Sequence, residues 1–227
     1  TYAELTGIGS KISVAPGMPI NTGSETATIE IDGTGSVSGI FAIASHGQGL
    51  ETSLAQIIAD EIGIKPEDIK ITHGDTSKAK HGTGTYASRS AVIGGGAAIK
   101  TARVLRKKIL KVAAYLLETD PNNIEIIDGI ISSLNTNKSI NFSELANSVY
   151  SDMETLPVEL RDSLYAKESY DPIFGATTTA THIALVEIDK QTLKVKVLKY
   201  LVSEDCGKVI NPMIVDGQVH GGVAQGI

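Results

Sequence analysis

An α+β fold, with mixed β-sheets and helices packed on one face, is predicted by three features of the 227-residue sequence. Thr26, Thr28 and Glu30 alternate with Ala27, Ile29 and Ile31, the period-two signature of a half-buried strand. Leu50, Leu54, Ile57, Ile58 and Ile62 recur at helical spacing, and a second such pattern runs from about Ala91 to Leu117. Thr178 to Asp189 and Leu193 to Ser203 then return to alternation rich in Val, Ile, Leu and Thr. We expect two αβ subdomains, residues 1–150 and the start of a second at 151–227.

Taken in order, Thr1 to Pro19 scatters its apolar residues among Gly7, Gly9, Pro16, Gly17 and Pro19, an irregular lead-in with short extended pieces. Asp32-Gly33-Thr34-Gly35 supplies the turn from the first strand into an apolar run, Ser36 to Ala44. The helix from Leu50 closes at Gly63, suited to the left-handed conformation that ends helices. Ile69 to Thr72 is a short strand, followed by a polar, glycine-rich stretch to Ser90. Ser88 or Ser90 is placed to cap the second helix. That helix opens with Gly94-Gly95-Gly96, which calls for a close packing partner. Ile124 to Ser133 spells a hairpin about Asp128-Gly129, and Asn141 with Glu144 forms a capping box. Ser151 to Asp171 shows no clear period and reads as a crossing between subdomains. Asn211 as N-cap with Pro212 behind it opens a last helix bearing Gly217, Gly221, Gly222 and Gly226.

Composition limits the function classes. Hydrophobic residues at 41% and charged residues at 20% describe a folded chain, and a formal charge of −6 disfavours a general nucleic-acid or anionic-membrane binder. The basic residues from Lys100 to Lys111 are better explained as a solvated helix face. Cys206, the single cysteine, excludes an internal disulfide and a multi-cysteine zinc site, which suits a reducing, cytoplasmic setting. Neither a secretion signal nor a transmembrane segment is legible. His73, Asp75 and His81 match no metal-ligand spacing, so no protein-ligated metal is expected. The absent initiator Met and the end inside a glycine-rich helix suggest a piece of a longer chain.

What remains are three glycine-rich corners that enter helices: Gly47-Gln48-Gly49, Thr85-Tyr86-Ala87-Ser88-Arg89-Ser90, and the region of Asn211 and Gln218. Each offers donors rather than acids or bases. Helix entrances with free amides favour anions, and Arg89 adds a planar fork suited to phosphate. Taken alone, Gly-Gln-Gly is equally a tight turn with an incidental amide.

Four stretches in register resemble the large molybdenum-binding subunit of the xanthine oxidase family, on its carbon-monoxide dehydrogenase and aldehyde oxidoreductase side. They are Gly47-Gln48-Gly49-Leu50-Glu51-Thr52, Gly84 to Ser90, Asp205-Cys206-Gly207 with Ile210-Asn211-Pro212, and Gly217-Gln218-Val219-His220-Gly221-Gly222. The resemblance implies a molybdopterin cofactor with Mo, in the cytosine dinucleotide form, bound by Gly47, Gln48, Gly49, Thr85, Tyr86, Ala87, Ser88, Arg89, Ser90, Asn211 and Gln218. It implies oxidation of a small carbon substrate with water-derived oxygen, and electron transfer to iron-sulfur (FeS) and flavin (FAD) partners in a hetero-oligomer. The family's general-base glutamate would lie beyond Ile227 and its substrate loop before Thr1, so the piece alone is expected to be inactive. His46 stands where the family commonly has glutamine, and Ala87 where it commonly has glycine. The competing expectation is a non-catalytic phosphate- or nucleotide-binding module.

Overall fold

A computed structural model describes residues 1–13 and 23–227; the Pro16, Gly17 and Pro19 part of the expected lead-in lies outside them. The described residues form three sheets and the helices that cover them. A four-stranded sheet has the order β4-β3-β2-β8, from β2 (Glu25–Ile31), β3 (Val37–Phe41), β4 (Ile69–His73) and β8 (Tyr165–Tyr170). A small antiparallel sheet contains β5 (Ile124–Ile127), β6 (Ile130–Ser133) and β7 (Ser139–Asn141). The third sheet has β9 (Ala176–Ile188) between β1 (Tyr2–Thr6) and β10 (Val195–Asp205). The helices are a single turn α1 (Ser10–Ser13), α2 (Leu50–Ile62), α3 (Gly95–Leu116), α4 (Phe142–Tyr150) and α5 (Pro212–Gly226).

The α+β architecture follows from where the apolar faces go. Ala27, Ile29 and Ile31 of β2 are fully buried, with Thr26 and Thr28 half-buried and Glu30 exposed, as the alternation requires. They meet Leu54, Ile58 and Ile62 of α2 and Leu105 and Ile109 of α3 in one apolar core. Each fully buried Ile or Leu in such a core contributes about 1.5–3 kcal/mol. The glycine run that opens α3 has its packing partners: a Cβ on Gly96 would lie 2.4 Å from the Tyr170 ring, and one on Gly94 2.3 Å from Ile43 Cδ1.

Local signals read in the sequence recur here. Gly63 ends α2 at φ 91°, its amide donating to Ala59 O at 2.8 Å. Asn141 Oδ1 accepts from Glu144 N at 2.9 Å while Glu144 Oε2 accepts from Asn141 N at 2.8 Å, the reciprocal capping box that starts α4. Two expectations are corrected. No serine caps the second helix: the chain enters through a π-helical turn at Ser90–Gly94, and Arg89 at its entrance makes no capping bond. Residues 151–171 are not merely a crossing. They contain β8, which pairs antiparallel with β2, and Leu156, Leu164 and Ala166 join the core of the first unit. Conversely β1, near the start of the chain, pairs antiparallel with β9, which follows residue 150.

Candidate functional site

β3 and β4 are parallel neighbours joined through α2, with Phe41 opposite His73 at their ends. The chain therefore leaves both strands at the same, carboxyl end, the end at which open α/β sheets hold ligands. The first exit is the Gly47-Gln48-Gly49 turn into α2; the second is the stretch from Gly74 to Ser90 that leads into α3. Their convergence is a consequence of parallel pairing, which places two distant sequence segments side by side.

Hydrogen bonds join the two exits. Thr85 Oγ1 donates to Ala44 O at 2.7 Å and accepts from Ala44 N at 3.2 Å. The Ser90 hydroxyl lies 2.9 Å from the same oxygen, whose proton is already given to Ala44, so Ser90 is the donor. His73 braces the first turn: its Nδ1 accepts from Ser45 N at 3.3 Å, which places the ring proton on Nε2, 2.7 Å from Glu51 Oε1. Glu51 is held below the usual carboxylate range, first by its own backbone amide and then by His73. A carboxylate in the first turn of α2 also suits the helix dipole.

The third corner reaches the first through α5. Asn211 caps that helix, its Oδ1 accepting from Ile214 N at 3.1 Å, and its Nδ2 donates to Gln56 Oε1 of α2 at 3.0 Å. Gly49 adopts φ 70°, a left-handed conformation suited to glycine, and a Cβ there would lie 2.6 Å from Ile214 Cδ1, so a side chain would displace the end of Ile214. Between the two elements is an open cavity of about 350 Å³ lined by Gly47, Gln48, Gly49, Met213, Ile214, Gly217 and Gln218.

Four of the sequence-predicted residues, Gly47, Gln48, Gly49 and Gln218, thus line one cavity. Thr85 is tied to the segment that leads into its turn, and Tyr86, Ala87 and Ser88 continue the same loop. Ala87 and Ser88 are exposed and take φ 46° and 54°, left-handed values that glycine adopts without strain. Their carbonyls both accept from Thr6 Oγ1, at 3.1 and 2.9 Å. Gln48 Oε1 accepts from His46 N at 2.5 Å, and among the described residues nothing accepts from its Nε2.

Arg89 and Ser90 face inward, and this corrects the expectation of a phosphate fork at Arg89. Its side chain has 0% exposure and pairs with Glu25, itself 1% exposed, at 2.6 Å. Glu25 is the residue that sequence reasoning missed. Its signal was present: it occupies the inward phase of β2, two residues before Ala27, where a charge needs a buried partner. Among the described residues no cluster of His, Cys, Asp and Glu could hold a metal ion, and no helix is long and apolar enough to cross a membrane.

The donor chemistry fits a pterin cofactor better than a free metal. The cavity presents neutral amides, the N-cap Gly49 supplies no capping side chain, and a Cβ at Gly47, Gly84, Gly217 or Gly221 would meet nothing within 4 Å. Amides and open backbone at a helix entrance suit phosphate and heterocycle edges.

Comparison with known proteins agrees. Residues 3–227 match the model of the molybdopterin cofactor-binding domain. The chain is 39% identical over 204 residues to the nicotine 6-hydroxylase large subunit of Paenarthrobacter nicotinovorans, covering 89% of this chain and 25% of that one. It is 36% identical over 228 residues to the carbon monoxide dehydrogenase large chain of Hydrogenophaga pseudoflava, covering 100% of this chain and 28% of that one. The crystal structure of quinoline 2-oxidoreductase from Pseudomonas putida 86 superposes with a TM-score of 0.89 at 39% identity, over 99% of this chain and 28% of that one. The chain spans about a quarter of the length of these relatives. It belongs to the molybdopterin cofactor-binding domain family.

Proposed function

We infer that this chain is the cofactor-binding part of the large subunit of a molybdenum hydroxylase. In that reading the whole subunit is a molybdopterin-dependent oxidoreductase that oxidises a small carbon substrate with water-derived oxygen. Electrons leave to FeS and FAD centres on partners of a cytoplasmic hetero-oligomer. The cofactor, in its cytosine dinucleotide form, supplies the redox chemistry when bound. This chain's residues bind and orient it: Gln48 and Gln218 through side-chain amides, Gly47 and Gly49 by letting the backbone come close, and Thr85 to Ser88 along the neighbouring loop.

The observation that carries this reading is the shared cavity of Gly47, Gln48, Gly49 and Gln218, formed by segments 170 residues apart in the order of the chain. The test is metal and pterin content of the full-length subunit purified from cells that make the cofactor. Gln48→Ala and Gln218→Ala should each lower both. Unchanged content would remove those residues from the site. Tight binding of a common nucleotide by a subunit that contains no pterin would favour the non-catalytic module instead.

A further inference from the structure

None of the ligand roles assigned above uses the buried pair of Glu25 and Arg89. One guanidinium nitrogen of Arg89, Nη1, donates to Glu25 Oε1 at 2.6 Å and to Gly84 O at 2.5 Å. The other, Nη2, donates to Gly23 O at 3.4 Å. Glu25 Oε1 also accepts from Thr83 N at 3.0 Å. The pair therefore fastens both ends of the loop, Thr83 and Gly84 at its start and Arg89 at its finish, to the first residue of a core strand. The guanidinium lies 5.4 Å from the centre of the Tyr86 ring, so the middle of the loop is packed against the same charge.

Stability alone is a poor account of this arrangement. Buried ion pairs add little net stability, and apolar replacements often serve as well. Here Glu25 Oε2 and Arg89 Nε lack hydrogen-bond partners among the described residues, which adds to the cost of burial. What directed hydrogen bonds supply, and apolar contact does not, is fixed geometry. The loop needs it, because Ala87 and Ser88 take left-handed conformations that neither residue favours. Gly84 O accepts from Arg89, and the carbonyls of Ala87 and Ser88 accept from Thr6, so each of these three acceptors has a partner inside the protein. Turned onto these partners, the three carbonyls are not free acceptors on the loop, although Ala87 and Ser88 share the single proton of Thr6.

We propose that Glu25 and Arg89 are positioning residues that hold the 84–90 loop in its cofactor-receiving shape before any cofactor binds. The proposal rests on the reading of that loop as part of the molybdopterin site. It assigns Arg89 a role through the backbone rather than through contact with phosphate.

The experiment uses the full-length subunit in its complex, purified from cells that make the cofactor and from cells that cannot. It compares wild type with R89K and with the double variant Glu25→Gln, Arg89→Met, which removes both charges and leaves neither unpaired. In cofactor-free protein, amide hydrogen exchange across 84–90 should be about tenfold faster in the double variant, with β2 and α3 unchanged. Molybdenum and pterin content should fall in parallel, and R89K should restore part of both. Wild-type exchange in the loop would overturn the proposal; so would full cofactor content with an opened loop, or exchange raised equally through β2 and α3. If the double variant does not fold, R89K decides alone. Lysine keeps the charge without the fork, so exchange should rise in the loop only, and wild-type exchange there would overturn the proposal. Wild-type protein that acquires no pterin would refute the cofactor reading itself, a result distinct from any of these.

Discussion

Thr85 Oγ1 is bonded to both backbone groups of Ala44, at 2.7 Å to the carbonyl and 3.2 Å to the amide. One side chain thereby satisfies a residue where β3 has ended and no ladder partner remains. It also sets the distance between two loops that are 41 residues apart. Thr85→Val keeps the shape and removes the hydroxyl. It should cost about 0.5–1.5 kcal/mol in chemical denaturation, because half-buried Ala44 exchanges the hydroxyl for water. Thr85→Ser should be close to wild type. Equal loss in both variants would show that the methyl, not the hydroxyl, holds the loops.

Ala87 occupies φ 46°, in the left-handed region that glycine adopts without strain. The left-handed conformation costs a side-chain-bearing residue about 1–2 kcal/mol, and glycine's extra freedom in the unfolded chain returns about 0.5–1 of it. Ala87→Gly should therefore raise stability by up to about 1 kcal/mol. A calorimetric melting temperature that falls would contradict the assigned turn.

Asn211 uses both ends of its amide, one for the cap of α5 and one for Gln56. Asn211→Ser retains a capping oxygen and loses the link, whereas Asn211→Ala loses both. The alanine variant should lose about 1 kcal/mol more than the serine variant. Coupling between Asn211 and Gln56 should appear in a double-mutant cycle and vanish if α5 docks by Ile214 alone.

Tyr150 is raised above its ordinary value of 10.0 chiefly by burial, with Glu30, Asp32 and Asp162 adding to the shift and its bond from Leu164 N opposing it. Its hydroxyl donates to Ile31 O at 2.9 Å. The folded state holds the phenolic proton more tightly than the unfolded state does. Stability is thus fully present below pH 10.0 and is lost as pH rises from there through the folded value. Tyr150→Phe should flatten this alkaline decline relative to wild type in urea unfolding followed from neutral to alkaline pH. An identical slope would place the titration elsewhere.

The sequence by itself determined several features that short-range chemistry controls: the alternation of β2, Gly63 at the end of α2, the Asn141 and Glu144 box and the Asn211 cap, though not the entrance to α3, where the expected serine cap gives way to a π-helical turn. It also marked the corners whose glycines and amides form the cavity. It could not disclose β8, because that strand lies at the edge of its sheet and fully buries only Ala166, which leaves no apolar period to read. Nor could it decide between solvent and core for Arg89. That outcome depended on Glu25, 64 residues away, and a buried charge is assigned only when the fold brings its counter-charge within reach.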